Sequence, residues 1–168
     1  MGIAPGTGVA LLEKRCIEAA MLADVYAVLQ ERQGRDAALA VIEETVARAS
    51  FAAGKAFAAT APDGPNLAHF ATVTSLWQRG EALCIENVRQ TPDRLSFEVT
   101  RCRYAESYRA MGLPEELVVR ISCLRDGDFA AGYSPALTFA RPATIASGAP
   151  AVPSPSPGTT HEHTTHHR

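Results

Sequence analysis

The sequence predicts an α+β fold in which an N-terminal helical hairpin and further helices pack on one face of a small antiparallel sheet. Apolar residues recur at helical spacing through the first half of the chain. Residues 82–88 and 94–100 instead alternate apolar and polar side chains, a pattern typical of strands. Between them, residues 90–93 are Gln-Thr-Pro-Asp, a composition that favours a hairpin turn. The predicted order is three helices, two strands, two helices and a last strand.

The first half of the chain is predicted to be helical. Residues 9–30 and 36–59 carry apolar stripes that predict two long helices, separated by Gly34. Residues 62–65 contain two prolines and a glycine and predict a turn, after which residues 67–78 predict a third helix. The alanine-rich helical faces would also suit a homodimer, although packing within one chain is the simpler explanation.

The second half is predicted to return from the strands to helix. Residues 102–111 form a helical pattern that ends at Gly112, a suitable position for a helix C-terminus. Pro114 then starts a helix that runs to about residue 131, since a proline costs nothing in the first turn. Residues 136–141 predict a short strand that joins the first two strands in the sheet.

The length and composition predict one domain and a tail. The chain has 168 residues, of which residues 8–146 are assigned to a single domain. Residues 147–168 are rich in Ala, Pro, Ser, Gly and Thr and are predicted to be disordered. Four of the five histidines lie in this tail, where nothing fixes the geometry of a metal site.

The charge pattern and the apolar pattern exclude several classes of partner. The formal net charge is -2 and the basic residues are interspersed with acids, which argues against nucleic-acid binding. No stretch has the length of uninterrupted apolar residues that a membrane span needs, so a cytoplasmic location is expected. The cysteines are far apart and are expected to be reduced thiols; they are Cys16, Cys84, Cys102 and Cys123.

One candidate cluster lies where the second strand leads into a helix. Cys102 is expected at the helix N-terminus, where unpaired N–H groups and the helix dipole favour a thiolate. Arg101 and Arg103 flank Cys102, and their positive charges also favour the thiolate. Glu106 follows four residues later, so a thiol and a carboxylate are expected to face one cleft. This spacing suits acid–base chemistry.

A second cluster repeats the combination of thiol, cation and carboxylate. Cys123, Arg125 and Asp126 lie within one helical turn. Carboxylates from two elements can divide acid and base roles when their pKa values separate, which is the chemistry of a hydrolase. The alternative remains that these cysteines fill the core and that Arg125 and Asp126 form ordinary ion pairs.

Two further residues have ordinary explanations. His69 is the only histidine before the tail, and it is expected on the surface or in the core rather than as a catalytic base. Trp77 is the only tryptophan; it could line a ligand pocket, but a single aromatic residue at a helix end is more often part of a core.

Several segments in the second half resemble the L-2-amino-thiazoline-4-carboxylic acid hydrolase family. The resemblance covers about residues 76–148. It is carried by Phe97-Glu-Val-Thr-Arg-Cys-Arg-Tyr-Ala-Glu-Ser-Tyr108, Met111-Gly-Leu-Pro-Glu-Glu116, Ser122-Cys-Leu-Arg-Asp126, Gly132-Tyr-Ser-Pro135, Arg141 and Thr144.

The resemblance implies hydrolytic ring opening of a small carboxylated heterocycle. Water would add to the carbon between sulfur and nitrogen, and the ring sulfur would leave as a thiolate. Such a reaction needs a base, an acid and a cation for the substrate carboxylate. On this basis Glu106 or Asp126 is the candidate base. The other candidates are Cys102 and Cys123 as nucleophiles, or as ligands of a divalent metal together with Asp126, and Arg101, Tyr104, Arg125 and Arg141 for substrate binding.

The sequence departs from the family pattern near its end. Members of the family commonly have a further cysteine and an aromatic strand after the glycine that corresponds to Gly148. This chain has Ala-Pro-Ala-Val-Pro there and no cysteine after Cys123. If that cysteine is needed for catalysis, the protein is a non-catalytic module that binds a small ligand or metal. If it is structural, the chain has lost an edge strand.

Overall fold

The computed structural model describes residues 9–140 and the strand at residues 152–155. The α+β prediction is confirmed, since helices pack with an antiparallel sheet. The elements in chain order are α1 (Leu11–Gln33), α2 (Arg35–Ala58), α3 (Leu67–Ala71), α4 (Val73–Trp77), a 3-10 helix (Arg79–Glu81), β1 (Leu83–Gln90), β2 (Leu95–Cys102), α5 (Arg103–Ala110), α6 (Glu115–Ser122), α7 (Arg125–Tyr133) and β3 (Val152–Pro155).

The predicted helical hairpin is formed by α1 and α2. Gly34 joins the two helices with φ of 86°, a conformation that glycine adopts without strain. Tyr26 of α1 and Ile42 of α2 are both buried in one apolar cluster, so the stripes read from the sequence do face each other. Ile17 and Met21 lie on the outer face of α1 and are 62% and 64% exposed. Dimerisation through a helical face stays a prediction.

Helices α2 and α7 approach each other through glycines. A Cβ atom at Gly54 would overlap the carbonyl oxygen of Phe129, and one at Gly132 would overlap the carbonyl oxygen of Phe51. Ser50, which is 1% exposed, donates a hydrogen bond of 2.6 Å to the carbonyl oxygen of Arg125. The start of α7 is therefore held against the middle of α2.

The sheet has the order β1-β2-β3, and both pairs are antiparallel. Leu95 and Phe97 of β2 are buried and form its core-facing side. The predicted hairpin connects β1 to β2, and the amide of Thr91 closes the turn by donating a 2.7 Å hydrogen bond to the carbonyl of Arg94. In the β1–β2 register Leu83 lies opposite Cys102, so β2 ends beside the start of β1.

The third strand is not where the sequence placed it. Residues 136–140 of the predicted strand 136–141 form a turn and irregular backbone, and Arg141 lies outside the described residues. The edge of β2 is instead paired with β3, where Val99 lies opposite Val152. Proline is tolerated in β3 because an edge strand does not need every N–H for pairing. Four residues of the segment predicted to be disordered form this strand, and the remainder of residues 147–168 lies outside the described residues.

Two predicted helices are each divided in two. The helix predicted over residues 67–78 is interrupted at Thr72, whose amide and hydroxyl both bond to the carbonyl of His69 and tighten the turn. The helix predicted from Pro114 to about residue 131 breaks between α6 and α7. There the Ser122 hydroxyl bonds to the carbonyl of Val118, four residues back, which favours bending. This break turns α7 in a new direction.

Two buried apolar clusters make up the interior of the described residues. The first involves α1, α2, α5 and α6, and the second lies among α3, β2 and α7. Gly112 ends α5 at φ of 79°, as predicted, and sends the chain into α6. Within the described ranges, none of the helices combines the length and apolar character that crossing a bilayer requires.

Candidate functional site

A cavity of about 220 Å³ lies where the two apolar clusters meet. Six helices and the first two strands contribute to it. Its lining residues are Leu11, Arg15, Ser50, Phe57, Val73, Leu76, Trp77, Leu83, Val99, Cys102, Tyr104, Tyr108, Ile121, Ser122, Cys123, Arg125, Asp126 and Phe129. The cavity thus combines an apolar wall with a group of charged, thiol and hydroxyl side chains.

Five of the candidate catalytic and substrate-binding residues line this cavity together: Cys102, Tyr104, Cys123, Arg125 and Asp126. Strand β2 ends at Cys102, which is also the residue that precedes α5, and Tyr104 follows in the first turn of that helix. Cys123 lies in the break after α6, and Arg125 and Asp126 begin α7. Two motifs that are about twenty residues apart in the sequence therefore meet at one site.

Arg101 and Glu106 do not line the cavity. The Arg101 guanidinium donates two hydrogen bonds of 2.9 Å to the Glu106 carboxylate, and both side chains are about half exposed. This ion pair lowers the pKa of Glu106, which makes the carboxylate a weaker base. The spacing of four residues predicted that Cys102 and Glu106 face one cleft; Cys102 does line the cavity, whereas Glu106 lies in the ion pair with Arg101.

Cys102 is not placed to be a thiolate at neutral pH. Burial raises its pKa from the ordinary 9.0 to about 11, and the nearby Cys123 and Asp126 act in the same direction. Hydrogen bonds from the backbone amides of Tyr104 and Ala105 oppose this shift, as expected at a helix N-terminus, but they are outweighed. The flanking cations do not help, because Arg101 pairs with Glu106 and Arg103 donates to the carbonyl of Gly80.

Arg125, a cation predicted to bind the substrate, is partly buried. Burial lowers its pKa, and the positive charge of Arg15 lowers it further, while Asp126 raises it. Within residues 9–140 and 152–155, no ion pair of Arg125 with another described residue is formed. A guanidinium with this environment is suited to an anionic ligand.

The Tyr104 hydroxyl is a second polar group of interest in the cavity lining. Its oxygen is buried and has no hydrogen-bond partner among the described residues. Burial raises the pKa of Tyr104 to about 12, so the hydroxyl keeps its proton and can donate it in a hydrogen bond. Burial also raises the pKa of Tyr108, one helical turn further along α5. An unpaired buried hydroxyl costs free energy unless a ligand or water satisfies it.

The described residues offer no ready metal site. No group of three or more His, Cys, Asp or Glu side chains in the described part of the chain is arranged to hold an ion, and this includes Cys102, Cys123 and Asp126. All four cysteines are free, as predicted. Arg141, the other candidate for substrate binding, lies outside the described residues.

Arg15 is the main cavity residue that the sequence analysis missed. Its side chain is 18% exposed, and it lines the cavity from α1. A signal was present, since Arg15 falls on the same helical stripe as Ala19, Leu22 and Tyr26, which are packed in the core. A charged residue on a buried stripe needs a partner, and here Glu18 supplies one.

The apolar wall was also only partly foreseen. Phe129 follows Arg125 by one helical turn on α7, and its ring lies 5.8 Å from that of Phe57 and 6.0 Å from that of Trp77. Trp77 therefore both lines the cavity and packs in the core, so the two readings of this residue are compatible. Ser50 was missed because its role depends on α7, seventy-five residues later in the chain.

His69 has a structural position, as expected. Its ring stacks on Phe57 with a centroid distance of 4.6 Å, and it does not line the cavity. One ring nitrogen lies 3.0 Å from the Tyr133 hydroxyl and the other 3.2 Å from the Thr60 hydroxyl. Through its contact with Tyr133, His69 holds α3 against α7.

Comparison with known proteins identifies the family. Neither the curated proteins nor the solved structures gave a match to this chain. A family model described as L-2-amino-thiazoline-4-carboxylic acid hydrolase matches residues 14–151. The match extends the resemblance seen in the second half to the helical hairpin, so it includes Arg15 as well as Asp126. The chain belongs to the L-2-amino-thiazoline-4-carboxylic acid hydrolase family.

Proposed function

We propose that the cavity is the active site of a hydrolase that opens a small heterocyclic acid, such as an amino-thiazoline carboxylate. One observation carries the proposal: Asp126, Arg125 and Tyr104 line one cavity in a chain of this family. These groups supply a base, a carboxylate-binding cation and a hydrogen-bond donor, which ring opening by water requires.

The size of the cavity agrees with such a substrate. A cavity of about 150 Å³ is sufficient for one benzene molecule. The cavity of about 220 Å³ is therefore suited to one ring with a carboxylate and an amino group. Phe129, Trp77 and Phe57 provide an apolar surface for the ring.

The first chemical step is the addition of water to the ring carbon between sulfur and nitrogen. Asp126 takes one proton from water as the oxygen–carbon bond forms, and it passes this proton to the ring nitrogen. The carbon–nitrogen double bond becomes a single bond. Arg125 holds the substrate carboxylate during this step, so the ring carbon stays in reach of the water.

The second step breaks the carbon–sulfur bond. The hydroxyl of the tetrahedral intermediate loses its proton to Asp126, and its oxygen forms a carbonyl group. The electron pair of the carbon–sulfur bond goes to sulfur, which receives the proton from Asp126. The product is an N-carbamoyl amino acid with a free thiol, and one water has been consumed. One carboxylate can therefore serve as base and acid in turn.

Direct attack by water is favoured over attack by Cys102. Only a thiolate is a good nucleophile, and burial keeps this thiol protonated near neutral pH. Cys102 and Cys123 then shape the polar end of the cavity next to Asp126. A covalent intermediate on Cys102 is not needed for the atoms and protons to balance.

The proposal is tested by incubating the full chain with L-2-amino-thiazoline-4-carboxylate. Mass spectrometry should detect the carbamoyl product, and a thiol reagent should detect the released sulfhydryl group in equal amount. The double variant Cys102→Ala/Asp126→Ala should abolish product formation. Full activity of that double variant, or no product from the native chain with any related heterocyclic acid, would remove the proposal.

A second candidate function is a module that binds the heterocyclic acid without converting it. The protonated thiol of Cys102 and the absence of a cysteine after Cys123 in the sequence favour this alternative. In that case the carboxylated heterocycle should bind and be recovered unchanged after hours. Turnover under the same conditions would exclude it.

A further inference from the structure

Arg15 has no role in the chemistry described above, yet it lines the same cavity as Arg125. It lies on α1, and its guanidinium pairs with Glu18, whose carboxyl-bearing side chain is 39% exposed. The position is costly, because a charged side chain on the buried stripe of a helix loses much of its hydration. Glu18 partners this charge, and Arg15 still contributes to the lining of the cavity.

Arg15 of α1 and Arg125 of α7 line the same cavity. The positive charge of Arg15 opposes the charged form of Arg125, and burial opposes it as well. Like charges in a partly buried site are unfavourable unless an anion lies between them or close to both. Glu18 and Asp126 provide some compensation. A bound anion would complete the compensation of the two positive charges.

The Tyr104 hydroxyl adds an independent observation. This oxygen is buried without a hydrogen-bond partner among the described residues. Tyr104 lines the same cavity as Arg15 and Arg125, and the positive charges of both arginines act on it. Two cations and one unused donor thus converge from α1, α5 and α7.

We propose that Arg15, together with Arg125 and Tyr104, binds the carboxylate of the substrate and makes the site selective for carboxylated ligands over neutral ones. The proposal rests on the proposed function in taking the ligand to be a small carboxylated heterocycle. Each guanidinium can donate two hydrogen bonds to a carboxylate, and the tyrosine can donate one. The N-terminal hairpin then contributes directly to the binding site, rather than only to the core.

The inference is tested with a ligand that cannot undergo ring opening at an amidine carbon. L-thiazolidine-4-carboxylate and its carboxamide share the ring and differ in the group that the arginines would bind, which is an anion in the first and a neutral amide in the second. Calorimetric titration of the full chain should show that the carboxylate binds about tenfold or more tightly than the carboxamide. Arg15→Gln should reduce this preference about tenfold. Arg15→Lys should reduce it less, because lysine keeps the positive charge, but still measurably, because it lacks the planar guanidinium that binds a carboxylate with two hydrogen bonds.

Lys14 provides a matched control. It is the neighbouring cation on α1, its side chain is 56% exposed, and it also pairs with Glu18, at 3.9 Å. Lys14→Gln removes the same charge from the same turn and should leave the carboxylate preference unchanged. Melting temperatures of all variants show whether each is folded, and Arg15→Lys keeps the test valid if Arg15→Gln unfolds.

The outcomes separate the two proposals. If the native chain prefers the carboxylate and loses that preference in Arg15→Gln, the inference holds even when no ring opening is detected. If the folded Arg15→Gln variant keeps the full preference, or if the native chain binds both ligands equally, the inference is overturned. Ring opening of the amino-thiazoline acid by Arg15→Gln with an unchanged KM would also overturn it, while leaving the hydrolase proposal intact.

Discussion

The hydroxyl of Ser50 donates a hydrogen bond of 2.6 Å to the carbonyl oxygen of Arg125, and both residues line the cavity. Ser50 is on α2 and Arg125 is the first residue of α7. The bond fixes the helix turn that carries Arg125 and Asp126 to a rigid neighbour. The geometry of the site therefore depends on the contact between α2 and α7.

Ser50→Ala should weaken both the fold and the site. It leaves a buried carbonyl oxygen with one partner fewer, so the free energy of unfolding should fall by about 1–3 kcal/mol. Catalytic efficiency should fall too, because the first turn of α7 loses its anchor. Urea denaturation measures the first effect. Thr45→Ala is the control: it removes an exposed hydroxyl from the same helix and should lower the free energy of unfolding by less than about 0.5 kcal/mol. An equal loss of stability in both variants would contradict the structural role of Ser50.

Gly132→Ala should destabilise the protein by about 1–3 kcal/mol, since its Cβ would overlap the carbonyl of Phe51 on α2. Gly127 is the matched control on the same helix. A Cβ there would meet only the Phe139 ring, at an ordinary 3.6 Å. Gly127→Ala should be neutral, or stabilising by up to about 1 kcal/mol, because alanine favours helix. Thermal unfolding distinguishes the two, and a stable Gly132→Ala variant would show that α2 and α7 are not in backbone contact.

Cys102 should make stability fall at alkaline pH. Its pKa is 9.0 ordinarily and about 11 in the folded protein, so the folded state holds the proton more tightly. The protonated thiol contributes on the order of 2 kcal/mol to the free energy of unfolding. This contribution is complete below about pH 9 and is lost as the pH rises through about 11. The stability difference between the native chain and Cys102→Ala should shrink over that interval. A difference that grows with pH would mean that the thiolate is the favoured form.

Glu116 should make the stability of the protein fall at acid pH. Hydrogen bonds from Arg35 and Tyr26 lower its pKa from 4.5 to about 2. The stabilisation is present above about pH 4.5 and is lost as the pH falls towards 2. The stability difference between the native chain and Glu116→Gln should therefore vanish across this range in urea titrations. Glu44→Gln is the control: Glu44 forms an exposed ion pair with Arg48, so this variant should change the free energy of unfolding little. A loss of stability in Glu116→Gln that does not vary with pH would show that Glu116 stabilises the fold through packing rather than through its charge.

Local patterns predicted most of the fold because they are set by neighbouring residues. The helix periodicity, the hairpin turn and the glycine after α5 all appear where the sequence indicated them. The third strand was misplaced, since pairing of β2 with residues 152–155 depends on a contact more than fifty residues apart in the chain. The break between α6 and α7 was missed for a similar reason: the direction of α7 is fixed by Ser50 and by Gly54, far away on α2.

The candidate site also combines features set by neighbouring residues with features set by distant contacts. Cys123, Arg125 and Asp126, which the sequence grouped in its second cluster, line the cavity together because they lie at and just before the start of α7; their chemical roles stay predictions. Glu106 has a suitable spacing from Cys102, but no spacing rule indicates which face of α5 looks inward. The protonation state of Cys102 depends on its burial, which is a property of the whole fold. Arg15 belongs to the site only because α1 folds over it.

The most direct test compares the initial rate of ring opening of L-2-amino-thiazoline-4-carboxylate by Asp126→Asn and by Glu106→Gln. The proposed mechanism uses Asp126 for both proton transfers and places Glu106 in a surface ion pair with Arg101. Asp126→Asn should therefore lower kcat by about 10²–10⁴-fold, while Glu106→Gln should leave it within about threefold of the native value. A large loss in Glu106→Gln with little change in Asp126→Asn would contradict the assignment of the cavity as the active site.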